Sequence, residues 1–203
     1  MRPLKIIFVI FIISCILTSC DEAQKSTGSE KPQHYYPDSL ANQVREQGRG
    51  IAKASFQALS AALLSAIEKG GVPHALQFCN EKALPITDSM AMIYNVKIKR
   101  ISAKNRNPEN VADKEQLQLM EHMQKQIAAY GSAKDTVVHT EQDELAYYAP
   151  IIVAAPCLQC HGAENNDIKP ENLALIKKFY PGDKATGYAI GDLRGLWFLR
   201  FKK

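Results

Sequence analysis

The amino-acid sequence predicts an α+β domain built on a largely antiparallel sheet, led by a long N-terminal helix. Two observations carry this expectation. Apolar residues recur at helical spacing early in the chain, and alternating, strand-like runs come later, mixed with further helices. A hydrophobic share of 46% and a charged share of 23% are those of a folded globular protein. No internal repeat is visible.

Helical periodicity begins at Ser39. Leu40, Val44, Ile51, Ser55, Leu59, Leu63 and Ile67 recur at spacings of three or four residues, or at a doubled interval. Gly70 and Gly71 stop this helix, and Pro73 opens a second, with Leu76, Cys79 and Ala83 on one face. Pro85 should end or kink it, although Met90 and Ile93 keep the helical register. Residues 96–102 alternate as a strand, with Val96, Ile98 and Arg100 on one face. Asp113 followed by Gln116 is a capping-box signature for a helix through Leu117, Met120, Ile127 and Tyr130, closed by Gly131 and Ser132. Residues 136–141 and 145–153 read as strands across a polar turn at Gln142, Asp143 and Glu144. Pro170 opens a helix through Leu173, Ile176 and Tyr180 that Pro181 ends, and residues 195–201 form the last strand.

The N-terminus reads as a lipoprotein signal peptide over residues 1–19. Arg2 and Lys5 form a positive segment, and an apolar run from Ile6 to Leu17 follows. That run is shorter than the about 20 residues that span a bilayer. It leads into Leu17-Thr18-Ser19-Cys20, which resembles the site where bacterial lipoproteins are cleaved before a lipid-modified cysteine. The resemblance implies diacylation of Cys20 and a stable membrane anchor in the bacterial cell envelope, facing the periplasm. Residues 20–38 then form a flexible linker, able to reach about 60 Å when extended, and residues 39–203 form the folded domain. The formal charge of +4 falls to about +2 once Arg2 and Lys5 leave, so nucleic acid is not an expected partner.

Of five cysteines, Cys15 leaves with the signal and Cys20 takes lipid. Cys79, Cys157 and Cys160 remain, an odd number in an oxidising compartment, which argues against a pure disulfide framework. Cys157-Leu158-Gln159-Cys160-His161 is the strongest chemical signal in the chain. In the pattern Cys-x-x-Cys-His both thiols add across the vinyl groups of a porphyrin, and the histidine that follows ligates the iron. The expected cofactor is one covalently attached c-type haem, bound through Cys157 and Cys160 and ligated by His161. A zinc site of Cys79, Cys157, Cys160 and His161 is an alternative, although Cys160 and His161 are adjacent and would share one ion only with strain. A thioredoxin-like dithiol is another, but the βαβ context it needs is missing.

Candidates for the ligand opposite His161 are Cys79, His34, His74, His122, His139, Met90, Met92, Met120 and Met123. His34 lies in the linker, and Met120 and Met123 fall on the apolar face of their helix, where core packing is the ordinary role. Cys79 stands apart because it has no disulfide partner once Cys157 and Cys160 hold haem. Its spacing is equally compatible with a small buried core residue and with an iron ligand.

Several segments together resemble a known family. They are Phe78-Cys79-Asn80-Glu81-Lys82-Ala83, Arg100 to Asn110, Tyr148-Ala149-Pro150-Ile151, Cys157 to Gly162, Tyr180 to Tyr188, and Gly191-Asp192-Leu193-Arg194-Gly195. In this order they are similar to the exported c-type haem domains with a PAS-like fold, the Tll-type haem-binding domains. The resemblance runs from about Gln43 to Trp197. It implies an antiparallel sheet with flanking helices cradling the haem, and an axial pair of Cys79 and His161. One departure is that the residues after Gly195 (Trp197, Phe198, Arg200, Phe201, Lys202, Lys203) are richer in aromatic and basic types than the family pattern.

Arg100 shares the inward face of its strand with Val96 and Ile98. A buried arginine needs an anion, and a haem propionate would serve. Arg106 could bind a propionate likewise, whereas Lys104 reads as solvated surface charge. Asn107-Pro108 reads as a turn. The expected function is a membrane-tethered monohaem cytochrome passing single electrons to a protein partner. The alternative is a redox or gas sensor acting through a separate signalling protein. No output module follows before Lys203, which favours transfer. An enzymatic role is not expected, because no pattern supplies an open iron position with a distal acid–base group.

Overall fold

The computed structural model describes residues 38–140 and 144–201. The expected signal peptide, Cys20, the expected linker with His34, the turn residues Gln142 and Asp143, and the terminal lysines lie outside the described residues. The elements in chain order are α1 (Asp38–Ile93), β1 (Val96–Ile101), α2 (Lys114–Tyr130), β2 (Thr136–His139), β3 (Leu145–Ile152), α3 (Leu158–His161), α4 (Pro170–Phe179) and β4 (Leu193–Phe201). Short 3-10 turns at Pro108–Asn110 and Ala155–Cys157 complete the list. The result is the expected α+β, PAS-like arrangement.

The four strands form one antiparallel sheet in the order β1-β4-β3-β2. One face carries Val96, Ile98, Tyr147, Trp197 and Leu199, which pack with Val44, Ile51 and Ala52 of α1. The other carries Ile101, Ala146, Tyr148, Leu196 and Phe198, packed with Met120 and Met123 of α2. β4 is therefore central in the sheet and covered on both faces. That position explains its Leu-Trp-Phe-Leu run, which the family resemblance did not anticipate.

α1 is two helical arms. Gly70 (φ −165°, ψ 25°) and Gly71 (φ 69°, ψ −167°) interrupt the helix where the sequence places a stop. The φ of Gly71 lies in the left-handed region that glycine tolerates. Leu40 and Val44 from the start of α1 and Met90 and Ala91 from its end pack in the same cluster. The chain must therefore double back at the break. Pro85 neither ends nor interrupts the second arm. It is exposed, so its ring and the hydrogen bond it forfeits face solvent, while buried Ala83 and Thr87 hold the turn beside it.

The α1–sheet contact depends on small residues. Tyr147 is 1% exposed, and its hydroxyl donates to Asp135 at 2.9 Å, which also accepts from Arg49 of α1. A Cβ on Gly48 would lie 2.3 Å from the Tyr147 ring, whereas a Cβ on Gly50 meets nothing within 4 Å. α2 opens with the expected capping box: the Asp113 side chain accepts from Gln116 N, and the Gln116 side chain accepts from Asp113 N. It closes at Gly131 with φ 73°.

Two substitutions two residues apart should move stability in opposite directions. Gly48→Ala must push a buried ring held by its own hydrogen bond and should destabilise by about 1–3 kcal/mol. Gly50→Ala gains helix propensity without a clash and should stabilise by up to about 1 kcal/mol. Urea midpoints of the two variants against the parent protein check the pair.

Candidate functional site

The chain between the paired strands β3 and β4 makes a long excursion, residues 153–192, that carries the cysteine motif. It lies against α1 and borders a cleft that opens to solvent. The two arms of α1 supply the apolar wall. Phe56, Leu59, Ser60, Leu63 and Ile67 from the first arm, and Val72, Ala75, Leu76, Cys79 and Ala83 from the second, line it. Each set keeps the three-and-four spacing of a single helix face.

The opposite wall holds Cys157, Cys160 and His161. Cys157 ends a 3-10 turn, and Leu158–His161 makes one α-helical turn, so the two thiols lie three residues apart on one helical face. Cys79, Cys157 and Cys160 are all free and half-buried. Burial pushes the Cys160 thiol up to about 11, against the pull of Arg106 and reinforced by Cys79 and Cys157. Burial also raises the Cys79 thiol, opposed by Arg100 and Arg106. These mutual influences place the second arm of α1 and the motif within electrostatic reach across the cleft.

The His161 ring is held by its Nδ1, which donates to the Ala185 carbonyl at 2.8 Å. Burial drives its pKa well below 6.5, and the charges of Arg194, Arg106 and Arg100 add to this against the Ala185 hydrogen bond. The imidazole is therefore neutral, with Nδ1 carrying the proton and the Nε2 lone pair available to a metal.

Arg106 ties this turn to the rest of the fold. Its guanidinium binds both oxygens of Asp183, at 3.1 and 3.0 Å, and donates to the Cys160 carbonyl at 2.7 Å. A weaker contact reaches the Ala185 carbonyl at 3.4 Å. Tyr188 N and Gly187 N donate to the carbonyls of His161 and Gly162. The segment from Asp183 to Tyr188 thus grips the motif through its backbone. Arg106, expected as a propionate partner, has its guanidinium engaged by a carboxylate of the chain itself.

Arg100 lines the cleft as expected, on the same face as Val96 and Ile98. Its Nη2 reaches the Ala83 carbonyl at 3.4 Å, and its buried Nε has no partner. Arg194 was not singled out as a site residue by the sequence, yet it lines the same cleft. The pairing of β3 with β4 skips it: Ile151 faces Gly195 and Ile152 faces Leu193, so Arg194 is the extra residue of a bulge. Its Nη1 donates to Ser102 Oγ at 2.8 Å and to the Lys104 carbonyl at 3.0 Å. Lys104 itself is exposed, donates to the Thr186 carbonyl and lies over the Tyr188 ring.

The other candidate ligands go elsewhere. His74, His122 and His139 are exposed, as is Met92. Met90 packs at the α1–sheet contact, and Met120 and Met123 lie in the core under the other face of the sheet. None of them lines the cleft; Cys79 does. Among the described residues, no group of three His, Cys, Asp or Glu side chains is arranged to hold a metal ion, so the four-ligand zinc set is not assembled.

A PAS-like sheet with a Cys-x-x-Cys-His turn facing an apolar, arginine-lined cleft defines the class of domain. A family model described as Tll0287-like matches residues 23–201, and the chain belongs to that family. No curated protein matches it. A solved structure, that of the cyanobacterial haem protein Tll0287, is similar with a TM-score of 0.53 at 22% identity. The match covers 83% of this chain and 98% of that one.

The Arg106–Asp183 pair is buried, with side chains 11% and 7% exposed. Removing one partner leaves the other charge uncompensated in the interior. Asp183→Ala should therefore cost about 3–5 kcal/mol of stability, read as a fall in the denaturant midpoint. Arg49→Ala, which removes an exposed ion-pair partner screened by solvent, should leave the midpoint far closer to that of the parent protein.

Proposed function

We propose that this protein is a monohaem c-type cytochrome, tethered to a bacterial envelope membrane through lipid on Cys20, that passes single electrons to a protein partner. The observation that carries the reading is the convergence of Cys79, Cys157, Cys160 and His161 on one apolar cleft. Family membership supports it, since the similar solved structure is that of a haem protein. The residues present fit an iron porphyrin on three counts: a neutral imidazole with Nε2 free, two free thiols at the attachment spacing, and unpartnered buried Nε–H groups for carboxylates.

Cys157 and Cys160 would hold the porphyrin through thioether links. His161, fixed by Ala185, would ligate through Nε2, and Cys79 would supply a second donor from α1. Bound there, the cofactor supplies one-electron chemistry between ferric and ferrous iron. A thiolate is an anionic donor that favours ferric iron, so the potential should lie below that of His/Met cytochromes. The α1 stripe keeps water from the site, and no residue is assigned a catalytic role.

The PAS-like fold favours one further reading, a redox or gas sensor acting on a signalling partner. Cys79 lies on the α1 arm that follows the Gly70–Gly71 break, so loss of the ligand would be felt on that arm. Redox titration of the purified protein with Cys79 intact and replaced tests the axial assignment. Cys79→Ser should raise the midpoint on the order of 100 mV, within the roughly 0.8 V that axial ligands command, and should change the absorption spectrum. An unchanged spectrum removes Cys79 from the iron. Carbon monoxide separates the functions: a reduced protein that does not bind it fits transfer, and rapid binding fits sensing.

A further inference from the structure

The cleft wall has a charge imbalance. Arg100, Arg106 and Arg194 line it, and among the described residues no Asp or Glu does. Asp183 neutralises Arg106 from behind the wall. Among the described residues, Arg100 and Arg194 hydrogen-bond neutral oxygens, the carbonyls of Ala83 and Lys104 and the hydroxyls of Ser102 and Tyr188, and Arg194 also lies over the Tyr188 ring. Each also buries an Nε–H that has no hydrogen-bond partner among the described residues. Arg194 lowers the pKa of Arg100, so the two cations are close enough to repel. Buried guanidinium groups without a counter-anion are unfavourable, and two in one cleft more so. The β3–β4 bulge that turns Arg194 into the cleft creates this arrangement rather than relieving it.

The rest of the lining narrows what would complete the site. Phe56, Leu59, Leu63 and Leu76 form a broad apolar wall that a small inorganic anion would leave wet. The ligand must therefore join a large apolar body to carboxylates that meet the arginines. We propose that Arg100 and Arg194 form a clamp for the two carboxylates of a porphyrin, with Arg106 excluded from it and serving to hold the attachment turn. This rests on the haem reading above and deepens it. A guanidinium is suited to the task because its planar fork offers directed N–H groups to a carboxylate, where an ammonium offers only a point charge.

The test uses the full chain carrying Cys157→Ala and Cys160→Ala, so that porphyrin binds reversibly. It is titrated with haemin and with haemin dimethyl ester, followed by Soret absorbance. The free diacid should bind at least about tenfold more tightly than the diester. Arg100→Gln and Arg194→Gln should each reduce that ratio, and the double variant should bring it near one. Arg106→Gln should weaken both porphyrins alike and leave the ratio unchanged. Equal binding of diacid and diester by the parent chain overturns the clamp and leaves the haem reading standing. A mature wild-type protein without haem overturns both. A second measurement avoids the cysteine replacements. In the covalent protein, clamped carboxylates stay ionised, so the midpoint potential should be nearly flat between about pH 5 and 7. The double glutamine variant should show a slope there, and a flat profile in that variant overturns the clamp.

Discussion

Arg106 joins three stretches of chain that are far apart in sequence. It leaves the loop after β1, binds Asp183 through two nitrogens and caps the Cys160 carbonyl. The segment it anchors also presents the Ala185 carbonyl that orients His161. Without that anchor, a single α-helical turn of four residues would have little to fix it, since so short a helix is unstable alone. The charge-assisted bonds of a buried guanidinium are directional, and they carry positional information across the excursion between β3 and β4. The cleft geometry follows from this one junction.

The sheet and α1 supply the rigid frame around it. β3 and β4 pair along most of their length, so the ends of the excursion are pinned side by side. Close approach makes this possible: a Cβ on Gly195 would lie 2.4 Å from the Ile101 carbonyl, so β4 can run against β1 only with glycine there. On the other side, the reversal at Gly70–Gly71 lets one helical span contribute two apolar stripes to the same cleft. One stripe alone would give an open groove. Two arms give a wall, and Cys79 sits within it rather than at its rim.

Local chemistry made much of this legible in the sequence. The Asp113–Gln116 capping box, the Gly70–Gly71 stop and the alternation of Val96, Ile98 and Arg100 depend on neighbours within a few residues, and each appears in the structure. The cysteine motif is equally local. Long-range partners were not legible. Asp183 lies 77 residues from Arg106, and nothing near Arg106 marks it as already paired. Arg194 lies just before the strand that the sequence delimits at residues 195–201, and the bulge that turns it into the cleft depends on its pairing with β3. Pro85 misled for a related reason: its effect on the helix depends on whether solvent or packing receives the lost hydrogen bond. The residues alone left the partner of His161 open, the family resemblance pointed to Cys79, and the fold puts Cys79 and none of the other described candidates in the cleft with His161.

The proposed function requires that the Cys157–His161 turn carry a covalently bound haem. Mass spectrometry of the mature protein under denaturing conditions asks this directly. The account predicts a polypeptide heavier by one haem, with the added mass on the proteolytic fragment containing Cys157, Cys160 and His161. A mature polypeptide of unmodified mass, or one that releases all its haem on denaturation, would contradict it.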